Sequence, residues 1–404
     1  MTPRILSPRS PVPQCARLLT ATLAFVLSGS VLAETKVRSF VLSNIYIAMA
    51  SEPNTCKQLS DGAIDIFKRT LPPAEQAQYA SDGKRAELGD LMAQRLKFVM
   101  EAIGSENGSQ PTPQQLDELR KQHGVPAGKG TMVFNGTRFA YDSCTNPEDF
   151  PLFNTGNQRY IGKIAYGANL DGKNSSGDFI SPNGGKGIDN KLIRATGCAF
   201  NARDYGDPEN AEKAIVSGDA PTLVEVSGID NEQNDPDVAV AVYSSATPLT
   251  LNALGAPMAS VSFDINRDPR YTSHVRGRIV NGELITDTFD LRVRMKEQIV
   301  NSYRELRNAR LRATWKPDGS IHGELVGYHT IASIKDQYVQ STQIGANLTR
   351  MSCPALLSAI EREADGFPDP QTGHNTAISS ALRFVGVSAF VIHSQPQTAQ
   401  NAPY

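Results

Sequence analysis

Residues 274–295 read HVRGRIVNGELITDTFDLRVRM, and this stretch decides the predicted fold class. Two runs rich in β-branched and long apolar residues flank Asn281-Gly282, a dipeptide that strongly predicts a two-residue hairpin turn. The run at 289–295 then alternates apolar and polar residues, which is typical of a strand with one buried face. The stretch therefore predicts consecutive antiparallel strands.

The same pattern continues on both sides of this stretch. Strands are also predicted at 37–50, 222–227, 238–243, 260–265 and 383–392, with hairpins at 131–141, turning at Asn135-Gly136, and at 308–328, turning at Pro317-Asp318-Gly319. Many short strands joined by glycine-containing turns are typical of a sandwich or a barrel. We therefore expect an α+β protein with a mostly antiparallel β-sandwich or barrel-like core.

Apolar residues at helical spacing predict helices at both ends of this core. One helix is expected over 84–103 and a second over 112–124. A short C-terminal helix is expected to begin near Pro354 and to end with Gly366 as its cap. The chain should therefore carry an N-terminal helical region and a short C-terminal helix around its β core.

These patterns divide the chain into five segments. They are a signal peptide at 1–33, a strand plus helical region at 34–130, a β-rich core at 131–350, a C-terminal helix and strand at 351–393, and a disordered tail at 394–404. The core includes a long Asp/Asn/Gly loop at 167–190. We find no solenoid-type repeat.

The first 33 residues have the features of a secretory signal peptide. Arg4, Arg9 and Arg17 precede an apolar run from Leu18 to Leu32, and Ala33 provides a small residue at the expected cleavage point. The run is about 15 residues long, whereas a membrane-spanning helix usually needs about 20. We therefore expect an exported protein, periplasmic or extracellular, that does not span the membrane after cleavage.

Cleavage would remove Cys15 and leave Cys56, Cys144, Cys198 and Cys353. An even number of cysteines in an oxidising compartment predicts two disulfides. The sequence allows all three pairings of the four cysteines. No C-x-x-C, haem-attachment or zinc spacing accompanies them, so the sequence contains no haem, nucleotide or zinc motif.

Composition excludes several classes of protein. The chain has 404 residues, of which 40 % are hydrophobic and 20 % charged, with a formal net charge of −2. These values are ordinary for a globular protein and argue against disorder or a coiled coil. Without a long Lys/Arg run, nucleic acid is not expected as a partner. The expected partner is an unknown ligand or an envelope or extracellular protein.

Residues 169–190, NLDGKNSSGDFISPNGGKGIDN, are the most unusual stretch. Calcium takes six to eight oxygen ligands from a backbone that can curl around it, and carboxylates, Asn carbonyls and Gly positions meet that need. The candidate ligands are Asp171, Asp178, Asp189 and Asn190. No register fits the EF-hand pattern, so the alternative is a surface loop in which Asp, Asn and Gly serve turn geometry.

Two other acidic loops are weaker candidates. The loop at 229–237 repeats the tetrapeptide Gly-Ile-Asp-Asn of 187–190, so Asp230 is a possible fifth ligand if the two loops meet. The loop at 365–375 offers Asp365, Asp369, His374 and Asn375, but its prolines favour a rigid turn. Calcium binding is therefore a hypothesis based on composition.

No short catalytic signature is present. The sequence has no G-x-S-x-G, G-x-G-x-x-G or paired-histidine metal motif. We therefore expect a binding or accessory protein with an unknown ligand and a calcium-stabilised loop. The alternative is a glycan hydrolase whose paired carboxylates come from distant strands, with Glu225, Asp264 and Glu283 as candidates.

Overall fold

The computed structural model describes residues 36–50, 52–91, 133–134, 137–138, 156–199, 220–297, 300–338 and 352–393. All of them belong to one compact unit, Thr35–Tyr404. The strands are β1 Lys36–Ile47, β2 Val133–Phe134, β3 Thr137–Arg138, β4 Phe179–Ile180, β5 Lys186–Ile188, β6 Thr222–Ile229, β7 Asn234–Ser244, β8 Val261–Asp264, β9 Thr272–Val280, β10 Glu283–Thr286, β11 Phe289–Glu297, β12 Val300–Trp315, β13 Ile321–Thr330, β14 Gly366–Pro368 and β15 Asn375–Ile392.

Eight of these strands close into an antiparallel barrel. Their order is β1-β6-β7-β9-β10-β12-β13-β15, and β15 pairs back onto β1. Closure leaves these strands no free edge along the barrel. The predicted α+β class with a barrel-like antiparallel core is confirmed, and the barrel form is the one adopted. The pairing of β1 with β15 closes the barrel. The barrel therefore contains strands from three segments that the sequence analysis separated, 34–130, 131–350 and 351–393.

Apolar side chains fill the barrel interior. Every second residue of the paired strands points inward, as the period of a strand requires. The resulting cluster includes Leu284 and Leu306, neither of which exposes any surface, and Phe40 stacks on Trp315 with ring centroids 6.3 Å apart. The interior is thus a packed core.

Three strands extend the barrel without joining its closed path. The hairpin partner of β12 is β11, whose register shifts by a bulge between Phe289 and Leu291. On the other side, β8 pairs in parallel with the end of β15, and β14 pairs with its beginning. The segment ending in β8 covers one part of the outer wall, where Phe263 packs on Val41 and Leu223.

The helices pack on the outside of the barrel. They are α1 Ala63–Thr70, α2 Pro73–Gln78, α3 Lys191–Thr196 and α4 Cys353–Glu363, and residues 85–91 and 331–338 are also helical. Leu192 of α3 and Leu357 of α4 share a buried cluster with Ile378 of β15. No helix within the described ranges is both long and apolar enough to cross a membrane.

A disulfide links Cys56, ahead of α1, to Cys198, just after α3. The predicted use of the cysteines is confirmed for this pair. Cys353 is also disulfide-bonded, and Cys144 lies outside the described residues.

Several boundaries differ from the sequence prediction. Gly366 does not cap α4, because the helix ends at Glu363 with an extended Ala364, and Gly366 opens β14. The final strand begins at Asn375 instead of 383, since its start pairs with β13 and β14. Two short strands, β4 and β5, also interrupt the predicted long Asp/Asn/Gly loop at 167–190, and α3 follows directly after it. A strand of two or three residues has no period for sequence analysis to detect.

Other predictions fall partly or wholly outside the described residues. The segments 1–33, 112–124 and 394–404 lie outside the described residues. The helix predicted over 84–103 is described as helical at 85–91, and its residues 92–103 are not described. The strands of the 131–141 hairpin pair as expected, while its Asn135-Gly136 turn is not described.

His329 lies inside the barrel end, on β13 opposite Leu306, and is 4 % exposed. Burial, with a contribution from Arg304, lowers its pKa from 6.5 to about 3. Between these values the unfolded chain binds more protons than the folded one. The contribution of neutral His329 to the free energy of unfolding is therefore fully present above about pH 6.5. It is lost as the pH falls toward about 3.

We expect His329→Gln to flatten this acid dependence. The wild type should lose up to about 1.4 kcal/mol per pH unit from this group below pH 6. Urea unfolding at several pH values between 7 and 4 measures the slope. His374→Gln, at an exposed position in the loop before β15, is the control and should keep the wild-type slope. Equal slopes for both variants would show that His329 is not held neutral.

Candidate functional site

The Asp/Asn/Gly segment lies against the outer wall at β13 and β15. Tyr166, Ala168 and Leu170 pack on Val326 and Ala381, one from each strand. The segment then forms the β4–β5 hairpin and leads into α3. Its polar side chains are thereby brought to the wall at one end of the barrel.

Asp189 is buried and anchors the beginning of this segment. Its Oδ2 accepts hydrogen bonds from the backbone of Leu170, at 2.7 Å, and of Asp171, at 3.3 Å. Burial raises the pKa of Asp189, with Asp171 and Asp178 adding to the effect and the two backbone hydrogen bonds opposing it. In this arrangement the carboxylate holds the loop backbone.

Asp178 and Asn190 also have partners in the protein. Asp178 Oδ1 accepts from Lys191 Nζ at 2.9 Å, in a largely buried ion pair. Asn190 is fully buried and donates to the Tyr166 carbonyl at 3.0 Å, but its Oδ1 has no hydrogen-bond partner. A buried carbonyl oxygen without a donor is costly, and a cation or a water would relieve it.

Asp365, from the weaker third loop, joins this region. Its carboxylate accepts from the Ser379 backbone at 2.7 Å and from Ser379 Oγ at 2.6 Å. Burial raises the pKa of Asp365, the Ser379 hydrogen bonds oppose this, and Asp189 adds to it. Burial together with Asp365, Asp189 and Asp171 raises the pKa of Tyr328 to about 12. Tyr328 therefore stays protonated at ordinary pH.

The structure groups four of the five predicted metal ligands and separates the fifth. Asp171, Asp178, Asp189 and Asn190 share the segment at the wall. Asp230 follows β6 where β1 begins, whereas Asp189 lies beside Ala381, which flanks the end of β1. Since β1 has 12 residues, the two aspartates are on the order of 35 Å apart. The shared tetrapeptide therefore does not form one site.

In the described part of the chain, no group of three or more His, Cys, Asp or Glu side chains is arranged to hold a metal ion. In the second acidic loop, Asp235 accepts from the backbones of Asp230, Asn231 and Asp237. Burial opposes the charge of Asp235, but these hydrogen bonds lower its pKa overall. Asp369 accepts in the same way from the backbones of Gln371 and Thr372, which forms a local turn.

A different row of residues, three of the four polar, crosses the wall at β1, β6, β7 and β9. Ser39, Glu225, Ala241 and His274 pair directly across β1, β6, β7 and β9. Directly paired residues project from the same face. Their neighbours Val224 and Val240 fill the barrel core, so the row faces outward.

This row lines a groove of about 400 Å³, here called the wall groove. Its floor consists of small or apolar residues, and its rim carries hydrogen-bonding groups. The described residues that line it are Glu225, Ser227, Ala239, Val240, Ala241, Tyr243, His274, Val275 and Arg276. Glu225 is the one carboxylate among them.

His393, which follows β15, reaches over the wall groove. Its Nε2 lies 3.0 Å and 3.2 Å from the two carboxylate oxygens of Glu225, and Ser39 Oγ donates to Oε2 at 3.3 Å. The Tyr243 ring meets His274 and His393 edge-on, with centroids 5.9 Å and 5.6 Å away. Burial and Glu225 raise the pKa of Tyr243 to about 12, so its hydroxyl remains a donor.

Two of the predicted hydrolase carboxylates lie elsewhere. Asp264 is exposed on β8, and Glu283 of β10 forms an ion pair with Arg312 at 2.8 Å. Of the three predicted hydrolase carboxylates, Glu225 lines the wall groove. Sequence reasoning missed Tyr243 and His393, although Tyr243 has the same alternation parity as Ala241 in the VAVAVY run. His393 carried no signal because its partner is 168 residues away.

Comparison of the chain with known protein families, with curated proteins and with solved structures finds no match.

Proposed function

We propose that this chain is an exported binding protein and that the wall groove is its ligand-binding face. The observation that carries the proposal is the Glu225–His393 pair beside Tyr243 and His274, over a floor of small residues. Ligand sites combine an apolar surface with a few placed polar groups. A packed barrel interior directs binding to the outer wall.

A sugar ring has the matching chemistry. One face of a pyranose presents C–H groups, which suit the floor at Ala239 and Ala241. Its hydroxyls need both acceptors and donors, which Glu225, His274 and the Tyr243 hydroxyl provide. We therefore propose a glycoside as the ligand class.

Glycan hydrolysis is the second candidate, and the hydrogen-bonded Glu225–His393 pair favours it. Glycosidases mostly use two carboxylates flanking the scissile bond, about 5–10 Å apart. The described lining of the wall groove supplies one, Glu225. Binding without turnover is therefore the better-supported proposal.

A panel of p-nitrophenyl glycosides tests both candidates with the same probes. Calorimetry should detect binding of at least one glycoside, without release of p-nitrophenolate. Glu225→Gln should weaken that binding about tenfold or more, since hydrogen bonds to a charged group contribute about 1.5–3 kcal/mol. Glu283→Gln makes the same change on β10, outside the groove, and should bind normally.

Equal binding by Glu225→Gln and Glu283→Gln, or no binding by any glycoside, would contradict the proposal. Release of p-nitrophenolate that is lost in Glu225→Gln would replace the binding function with hydrolysis.

We further propose that calcium stabilises the segment 169–190. Support comes from the grouping of Asp171, Asp189 and Asn190 and from the unpartnered Asn190 Oδ1. The Lys191 ion pair makes Asp178 a weaker ligand than the sequence suggested. Such a site would draw on backbone and amide oxygens as well as carboxylates.

Thermal unfolding with calcium and with a chelator tests the calcium proposal. Binding to the native state should add about 2.7 kcal/mol when calcium is 100 times its Kd, which raises the Tm. Asp171→Asn should reduce this increase, whereas Asp318→Asn, in the β12–β13 turn, should keep it. Identical melts of the wild type in calcium and in chelator would end the hypothesis.

A further inference from the structure

A second cleft, here called the polar cleft, opens at an end of the barrel wall and shares none of its lining residues with the wall groove. It has a volume of about 420 Å³ and lies between β11, β12, the turn at 266–271 and the helical residues 331–338. Its charged and hydroxyl-bearing lining includes Asp268, Arg270, Arg294, Ser302, Tyr303 and Asp336. Two acids and two bases therefore face one cleft.

Asp268 and Arg270 neutralise each other. Arg270 Nε lies 3.0 Å from both carboxylate oxygens of Asp268, and Nη2 lies 2.6 Å from Oδ2. The Arg270 side chain and backbone lower the pKa of Asp268 to about 2, so the pair stays ionised at any ordinary pH. This pair leaves no charge for a ligand to compensate.

Arg294 and Asp336 lack such compensation. The Arg294 guanidinium donates to the neutral Asn301 Oδ1 at 3.2 Å. Asp336 Oδ2 accepts from the neutral Ser302 Oγ at 2.5 Å. In the described part of the chain, neither residue has an oppositely charged partner within 4.0 Å. The polar cleft thus presents one uncompensated positive and one uncompensated negative charge.

We propose that the polar cleft binds a small zwitterion, with its carboxylate on Arg294 and its ammonium on Asp336. The ligand class is an α-amino acid or a short peptide, which share this pair of charged groups. An anion would leave the charge of Asp336 uncompensated. A neutral sugar would leave the charges of both Arg294 and Asp336 uncompensated. Partly desolvated charges favour ligands that pair and hydrogen-bond them. This site is independent of the wall groove.

Calorimetry with L-alanine, Ala-Ala and Ala-Ala-Ala tests the proposal and distinguishes an amino acid from a peptide. N-acetyl-Ala-Ala lacks the ammonium, and Ala-Ala-amide lacks the carboxylate. At least one zwitterion should bind, and its blocked forms should bind at least tenfold more weakly. No zwitterion binding at millimolar concentration, or equal binding of the blocked forms, would overturn the proposal.

Variants then assign each charge to its residue. Arg294→Gln should remove the preference for a free carboxylate, and Asp336→Asn should remove the preference for a free ammonium. Arg278→Gln, an exposed arginine of β9 outside the cleft, is the matched control and should bind as the wild type does. Thermal melts of each variant confirm folding. A folded Arg294→Gln or Asp336→Asn variant that keeps both preferences would also overturn the proposal.

Discussion

Leu284→Ala is expected to lower the free energy of unfolding by about 2–5 kcal/mol. Leu284 lies on β10, exposes no surface and packs in the barrel core. The loss combines the transfer free energy of the removed methyl groups with the cavity that rigid neighbouring strands cannot fill. Denaturant unfolding followed by circular dichroism measures it.

Leu254→Ala is the matched control. The same change is made at a side chain that is 93 % exposed, so the free energy of unfolding should stay within about 0.5 kcal/mol of the wild type. If the two variants lost equal stability, the barrel interior would not be the core of the folded chain.

Replacing both Cys56 and Cys198 by alanine is expected to cost about 3–5 kcal/mol. Their disulfide spans 142 residues, and a cross-link over a long segment removes much conformational entropy from the unfolded chain. Chemical unfolding of the double variant against the wild type measures the difference. The double change leaves no unpaired thiol from this bond.

Peptide mapping of the non-reduced protein checks the same bond directly. A linked peptide containing Cys56 and Cys198 is expected. Its absence, or a loss of stability below about 1 kcal/mol in the double variant, would show that this disulfide does not stabilise the native protein.

The strands were predictable because their pattern is local. In the β9–β10 hairpin, Asn281 and Gly282 both have positive φ, the backbone that the turn prediction required. Alternation along β12 puts Leu311 in the core and Arg312 on the wall, as a two-residue period demands. Closure was not predictable, because the pairing of β1 with β15 joins residues more than 300 positions apart.

The sites were less predictable than the strands, since they depend on strand order. Composition pointed to 169–190, where the structure shows Asp189 hydrogen-bonded to its own loop. The Glu225–His393 pair forms only because His393, just after β15, reaches Glu225 on β6. Arg294 and Asp336 likewise line one cleft because residues 331–338 pack beside the β11–β12 hairpin. None of these arrangements leaves a short motif.

Histidine side-chain NMR during titration with the p-nitrophenyl glycosides tests the central claim most directly. The account predicts that the imidazole signals of His274 and His393 shift together, because both border the wall groove. The signal of His329, buried in the barrel end, should stay unchanged. Saturable binding that leaves His274 and His393 unshifted, or no binding at all, would contradict the assignment of the wall groove as the ligand-binding face.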